Sequence, residues 1–106
     1  MTKGKVYLLA EFCDNGGFKI GVTKRAIEKR IKEAQTGNSN EIILVNSYES
    51  ENYKHVEGML HRKFGTNHKR GEWFDLTHEQ VVSFTEEAKK ADEIVSLLLR
   101  DNPFYN

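Results

Sequence analysis

Four residues with different side-chain chemistry stand far apart in this sequence: Tyr7, Lys19, Arg30 and Glu57. Phosphodiester cleavage needs a base to activate water or a hydroxyl, cations to stabilise the phosphate, and commonly a metal held by a carboxylate. Tyr7 is a candidate general base, because nearby positive charge favours phenolate over phenol. Lys19 and Arg30 would supply the cations, and Glu57 would hold the metal.

Each of the four also has an ordinary structural interpretation. A tyrosine in an apolar strand is usually a core residue, and a strand lysine is usually solvated. Ion pairs would account for the other two, Arg30 with Glu28 or Glu33 and Glu57 with Lys54. The functional interpretation therefore requires that all four side chains gather in one pocket.

Other kinds of site find little support. The four histidines and the single cysteine form no Cys-x-x-Cys or His-x-x-x-His pair, which argues against structural zinc. Gly16-Gly17 precedes a strand rather than a helix, so it is not a nucleotide-binding loop. His61, one helical turn after Glu57, is kept as a possible accessory residue.

The composition is that of a folded, single-domain chain spanning residues 1–106, with 30% charged residues and a net charge of zero. The lone Cys13 cannot form an intramolecular disulfide and favours a reducing, cytoplasmic setting. No apolar run approaches the roughly 18 residues of a membrane span, so no membrane partner is expected.

The charge is unevenly distributed. Residues 1–71 carry 13 basic and 8 acidic side chains, and residues 72–106 carry 3 basic and 8 acidic ones. This asymmetry is compatible with a cationic DNA-binding face, although two solvated surfaces would account for it equally well. The candidate DNA contacts are Lys24, Arg25, Lys29, Lys69 and Arg70.

Hydrophobic periodicity predicts three strands and three helices. Strands over 5–10 and 18–22 form a hairpin about the Asp14–Gly17 turn, in which Tyr7 and Lys19 share a face, and a third strand covers 41–48. Helices are expected from about 25 to 37, where Gly37 ends the first, from 51 to 64 and from 77 to 100. The fold class is α+β, a small three-stranded antiparallel sheet flanked by helices, with a long C-terminal helix.

Apolar stripes mark the inner faces of the helices. They comprise Ile27, Ile31 and Ala34 in the first helix, Tyr53, Val56, Leu60 and Phe64 in the second, and Val81, Phe84, Ala88, Ala91, Val95 and Leu98 in the third. Thr77 and Gln80 form a capping-box pattern. Ile94, Leu97 and Leu99 broaden the apolar arc of the last helix, which either covers the sheet or marks a subunit contact. The segment 65–71 is expected to be a basic loop, and 72–76 a short edge strand.

The order of these short motifs resembles the GIY-YIG nuclease superfamily, and most of all its small viral and phage branch. The resemblance covers about residues 4–88. It is carried by Val6-Tyr7, by Lys19-Ile20-Gly21, by Glu28-Lys29-Arg30, by Glu57 in its helix, and by Arg70-Gly71-Glu72-Trp73-Phe74.

The resemblance implies Mg²⁺-dependent (or Mn²⁺-dependent) cleavage of DNA. Tyr7 takes the place of the motif tyrosine, Arg30 that of the phosphate-binding arginine and Glu57 that of the metal ligand. Gly21 matches the motif glycine, where a side chain would block the start of the helix. The chain departs from the pattern at Lys5, which replaces a glycine, at Lys19, which replaces a tyrosine, and at Ala34, which replaces a histidine.

Many members of the superfamily carry a separate DNA-recognition domain, and residues 1–106 contain none. Specificity would come from the loop around Lys69 and Arg70, from a homodimer or from a partner protein. The alternative function is a catalytically weak or inactive module that binds DNA or protein and regulates it. A protein-interaction domain with no nucleic-acid role is a third class.

Overall fold

A single antiparallel sheet forms the centre of the molecule. The structure is a computed structural model that describes residues 3–14, 16–65, 68–70 and 73–101, with backbone alone at 68–70 and 101. In the described residues the sheet has five strands in the order β3-β1-β2-β5-β4. The strands are β1 (Gly4–Phe12), β2 (Phe18–Thr23), β3 (Glu41–Ser50), β4 (His68–Arg70) and β5 (Trp73–Phe74).

The predicted fold class is confirmed, with a wider sheet than expected. The three predicted strands form its main part, and two short strands extend it beside β2. The segment 65–71, expected to be a loop, contains β4. The segment 72–76, expected at an edge, contains β5, which lies inside because β4 pairs with it. β5 falls within the short strand predicted over 72–76, whereas β4 has only three residues, too few to show an alternating pattern, and was missed.

The strand register fixes which side chains share a face. Tyr7 pairs with Gly21 and Leu9 pairs with Lys19. Paired residues of antiparallel strands point to the same side, and side chains alternate along each strand. Tyr7 and Lys19 therefore lie on one face of the sheet, as the hairpin pattern predicted.

Within the described ranges, four helices accompany the sheet: α1 (Ile27–Gln35), α2 (Tyr53–Lys63), α3 (His78–Val82) and α4 (Phe84–Asp101). The first two helices begin two residues later than predicted. Neither has a side-chain hydrogen bond that caps its first turn. Gly37 follows the end of α1 with φ of 83°, which confirms the predicted left-handed residue there. Thr77 and Gln80 form the predicted capping box.

The single C-terminal helix predicted over 77–100 is divided in two at Ser83. The Ser83 hydroxyl donates to the carbonyl of Gln80 (3.2 Å), and the backbone carbonyl of Ser83 accepts from the backbone N–H of Glu87 (2.9 Å). Ser83 thus ends α3 and begins α4. Serine competes for backbone hydrogen bonds in this way, so a helix break at this position is chemically reasonable.

The sheet separates two hydrophobic cores. On the Tyr7 face, α1 covers a small cluster that includes Leu9, Ile27 and Ile42. On the opposite face, α2 and α4 cover a larger cluster that includes Val6, Leu8, Ile20, Val56, Leu60, Phe64, Phe74, Phe84, Ala88 and Ala91. The predicted inner stripes of α1 and α2 are therefore confirmed.

The last helix differs from its predicted stripe at its C-terminal end. Leu98, predicted to face the core, is 54% exposed, and Leu99 is only partly buried. Ile94 and Leu97 are 47% and 50% exposed, so this part of the apolar arc does not cover the sheet. In the part of the chain that the structure describes, no helix is long and apolar enough to cross a membrane.

Candidate active site

Tyr7 lies near the middle of β1 with its ring directly over Gly21 of β2. A Cβ atom at position 21 would come within 2.4 Å of the Tyr7 hydroxyl oxygen and 2.6 Å of the ring carbon that bears it. Only glycine allows the phenol to occupy this place. The glycine is thus required by the tyrosine ring, and not by the start of the helix as the motif comparison suggested.

Arg30 of α1 reaches the same hydroxyl from above the sheet. Its Nε and Nη2 atoms donate to the Tyr7 oxygen at 3.4 and 3.3 Å, slightly beyond the usual range for such bonds. Tyr7 is 1% exposed, whereas the Arg30 side chain is 35% exposed. The guanidinium therefore connects the buried phenol to solvent, and the predicted pair is brought together.

Glu33 occupies another edge of the guanidinium. Its carboxylate accepts from Arg30 Nη1 at 3.0 Å and from Arg25 Nη2 at 3.0 and 3.1 Å. The hydrogen bond to Tyr7, with Glu33 as a smaller contributor, raises the pKa of Arg30 above its ordinary value. Arg25, with Arg30 as a smaller contributor, lowers the pKa of Glu33, which is therefore ionised at neutral pH.

Lys19 lies on the same face, between Leu9 on β1 and Trp73 on β5. It is two residues along β2 from Gly21, a distance of about 7 Å between Cα atoms in an extended strand. Its side chain is half-buried. Lys19 thus lies on the same face of the sheet as the phenol, two residues along β2 from the glycine beneath the ring.

Glu57 belongs to α2, which packs on the other face of the sheet. The course of α2 along β2 is marked at both ends, because Lys24 lies over the Tyr53 ring (6.0 Å to its centroid) and His61 contacts Ile20. Glu57 lies between these points along α2, and its side chain is 26% exposed. The structure therefore brings Tyr7, Lys19 and Arg30 to one face of the sheet, whereas α2 carries Glu57 on the other, so Glu57 does not join them in the single pocket that the sequence interpretation requires.

His61 links α2 to the sheet. Its Nε2 lies 2.8 Å from the carbonyl oxygen of Ile20, and because a carbonyl only accepts, Nε2 carries a proton. The ring meets Phe74 edge-on at 5.1 Å, and Glu57 Oε2 is 3.8 Å from Nε2. These contacts give His61 a structural role and also orient it beside the Glu57 carboxylate.

The described residues contain no group of three or more His, Cys, Asp or Glu side chains that could hold a metal ion. One carboxylate completed by water and substrate phosphate is nevertheless a common environment for Mg²⁺, and Glu57 is the carboxylate that the motif order assigns to it.

The predicted DNA contacts have different surroundings. Lys24 and Lys29 are exposed, and Arg25 is exposed but paired with Glu33. The side chains of Lys69 and Arg70 lie outside the described residues. Sequence reasoning named Glu33 only as a partner of Arg30 and missed its bond to Arg25, because eight residues separate the two and the turn before α1 brings them together.

Comparison with known proteins gives one family. The T5orf172 domain matches residues 4–94, which include every candidate residue described above. Neither a curated protein sequence nor a solved structure matches the chain significantly. The match spans most of the chain and all five strands, so this protein belongs to the family of T5orf172 domains, a phage-associated domain of the nuclease-related type.

Proposed function

We propose that this protein is a divalent-metal-dependent endonuclease that hydrolyses phosphodiester bonds in DNA. The observation that carries the proposal is the contact between the Arg30 guanidinium and the hydroxyl of Tyr7, whose ring lies over a glycine that leaves room for it. Among the described residues, this contact connects a buried phenol with a solvent-accessible cation. The family match and the GIY-YIG-like order of motifs support the same conclusion.

In this proposal the residues divide the work by their chemistry. Arg30 binds a phosphate oxygen through its solvent-facing N–H groups and Lys19 contributes a second positive charge, which together stabilise the charge that develops in the transition state. Tyr7 accepts the proton of the attacking water as a general base. By the family resemblance Glu57 would hold Mg²⁺ or Mn²⁺, which would supply electrostatic stabilisation at a phosphate. Because α2 carries Glu57 on the sheet face opposite Arg30, the Glu57→Gln variant tests this role separately.

The second candidate function is a DNA-binding module without cleavage. The burial of Tyr7, 1% exposed, favours it, because a base must reach the proton that it removes. The ion pair between Arg30 and Glu33 also occupies a position that a phosphate would take. In this case the exposed cations of α1 would still bind the DNA backbone without reading its sequence.

Supercoiled-plasmid nicking in Mg²⁺ or Mn²⁺, measured beside DNA binding, distinguishes the two. The wild type is expected to nick only with metal. Arg30→Ala and Glu57→Gln are expected to lose nicking by at least about 100-fold, as for the removal of a group that acts in the transition state. Arg62→Ala is the matched control, because Arg62 is exposed on the same helix as Glu57.

The outcomes separate clearly. Nicking that Arg30→Ala and Glu57→Gln abolish, and that Arg62→Ala leaves unchanged, supports the endonuclease. Salt-dependent DNA binding by a wild type that does not nick with either metal would favour the binding module. An absence of both binding and nicking would contradict each of these functions.

A further inference from the structure

The C-terminal half of α4 presents an apolar surface to solvent. Ile94, Leu97 and Leu98 are each about half exposed and form what we term the α4 patch. Beside it, an open groove of about 280 Å³ runs between α2 and α4, lined by apolar atoms of Met59 and Val95 among others. Three large aliphatic side chains on one helix face, next to a groove, are typical of an interaction surface.

We propose that the α4 patch is the interface with a second copy of this chain, in an antiparallel arrangement of the two α4 helices. A two-fold interface uses the same surface on both partners, so that surface must offer both projections and depressions. The α4 patch supplies the projections, and Leu98 also lines the groove, so the two parts are continuous. The surface therefore contains both of the parts that a two-fold contact requires.

The charges beside the patch fit the same arrangement. When Ile94 of one α4 packs against Leu97 of the other, helix geometry places residues 93 and 100 on the same flank of the contact. Glu93 and Arg100 are both exposed and carry opposite charges. Each Glu93 then lies opposite Arg100 of the second copy, and the two-fold axis repeats the pair.

The other exposed apolar element is less suited to a second copy. β3 lies at an edge of the sheet, and Ile43, Leu44 and Val45 are partly exposed there. Its backbone N–H groups at Ile42 and Ser47 are already bonded to the side chains of Gln35 and Asn46. A further strand pairing with β3 would have to break these bonds, and edge strands protected in this way resist such pairing.

The location of the patch leaves Arg30 and the Tyr7 hydroxyl open. α4 packs with α2 on the sheet face opposite α1, whereas Arg30 and the Tyr7 hydroxyl lie on the α1 face. Two copies joined through α4 would therefore expose both α1 faces to solvent. The proposal does not depend on the proposed function, since it uses none of the residues assigned to cleavage.

Sedimentation equilibrium of the purified chain across the micromolar range tests the proposal. The wild type is expected to form a species of twice 12.3 kDa, the mass of one chain. Leu97→Glu is expected to weaken association on the order of 100-fold, because each dimer loses two buried leucines. Phe12→Glu is the matched control, since Phe12 is 70% exposed and lies on β1, away from the patch.

A charge exchange tests the antiparallel register. Glu93→Arg and Arg100→Glu alone are each expected to weaken the dimer by bringing like charges together, and the double exchange is expected to restore it. Circular dichroism of each variant confirms that it is folded. A wild type that is monomeric at every concentration would overturn the proposal, even if the α4 patch then binds a different partner. A dimer that Leu97→Glu leaves intact would overturn it as well.

Discussion

At the level of single residues, Tyr7 belongs to the core and to the candidate site at once. Tyr7 is as buried as its aliphatic neighbours on β1, and its hydroxyl nevertheless meets a cation that reaches solvent. The sequence offered burial and catalysis as competing interpretations of Tyr7, and an ion pair as the simpler interpretation of Arg30. The structure contains the burial, the ion pair and the phenol contact together, so these interpretations do not exclude one another.

The close approach of Tyr7 to Gly21 gives a direct prediction. Gly21→Ala places a methyl group against a ring that the core holds in place, so we expect a loss of about 1–3 kcal/mol in the free energy of unfolding. Gly58→Ala is the control, because its Cβ would meet only Arg62 Nη1 at 3.8 Å. Since Gly58 lies within α2, this change should stabilise the protein by about 0.5–1 kcal/mol. Equal effects of the two changes in urea unfolding would contradict the described packing.

The pairing of Glu33 with two arginines predicts that it competes with phosphate. Glu33→Gln removes an ionised carboxylate from Arg30 and Arg25, so DNA binding should tighten by roughly threefold to tenfold at low salt, with a steeper salt dependence. Glu28→Gln is the matched control, an exposed carboxylate on the same helix. Fluorescence anisotropy with a DNA duplex at several salt concentrations measures the affinity and its salt dependence for each variant. An effect of Glu28→Gln as large as that of Glu33→Gln would mean that general charge, and not the direct contact, is responsible.

At the level of elements, a polar cluster around Asp92 attaches α4 to the rest of the fold. The Asp92 carboxylate accepts hydrogen bonds from Tyr48 and Ser50 at 2.8 Å and from Asn52 at 2.9 Å. The end of β3 and the start of α2 are thereby joined to the middle of α4. Sequence periodicity did not indicate this cluster, because 40 to 44 residues separate Asp92 from its three partners.

Tyr48 gives this cluster a measurable pH dependence. Burial, and then the hydrogen bond to Asp92, raise the pKa of Tyr48 to about 12, above the value near 10 of the unfolded chain. The contribution of Tyr48 to the free energy of unfolding is therefore fully present below pH 10 and is lost as pH rises towards 12. Tyr48→Phe should lower the free energy of unfolding by about 1–2 kcal/mol at pH 7. It should also remove the part of the stability loss between pH 10 and 12 that comes from Tyr48. A wild type and variant that lose stability equally between pH 10 and 12 would contradict the assignment.

The elements could be predicted from the sequence where their patterns were long. The three main strands, α2 and the capping box at Thr77 were predicted correctly, because alternation, helical spacing and turn residues agreed there. The helix break at Ser83 was missed because the apolar spacing continues across it. The break is marked by the hydrogen bond from the Ser83 hydroxyl to the Gln80 carbonyl, which the spacing of apolar residues does not reveal. The exposure of Leu98 was missed because periodicity cannot tell where a helix extends past the surface that it covers.

At the level of the whole molecule, the sheet separates two surfaces with different chemistry. The α1 face carries Arg30 and the exposed cations near it, and the opposite face carries the groove between α2 and α4. The uneven charge of the sequence is compatible with a cationic face, but it indicated neither the groove on the opposite face nor that Glu57 would lie on the face opposite Arg30. That relation depends on the packing of α2, which no local pattern specifies.

The separation of faces predicts where DNA binds. Lys29→Ala, on the α1 face, should weaken binding and reduce the slope of log Kobs against log salt by about 0.9, the value for one phosphate contact. Arg62→Ala, on the α2 surface that lines the groove, should leave both unchanged. The same anisotropy measurement serves for both variants. A larger effect of Arg62→Ala than of Lys29→Ala would place the DNA on the opposite face.

The most direct test of the central claim is a double-mutant cycle on metal-dependent plasmid nicking with Tyr7→Phe and Arg30→Ala. Because the hydroxyl and the guanidinium are in contact, they should act as one unit, so each single change should reduce the nicking rate about 100-fold or more and the double change little further. Undiminished nicking by Tyr7→Phe, or losses that simply multiply in the double variant, would contradict a catalytic pair.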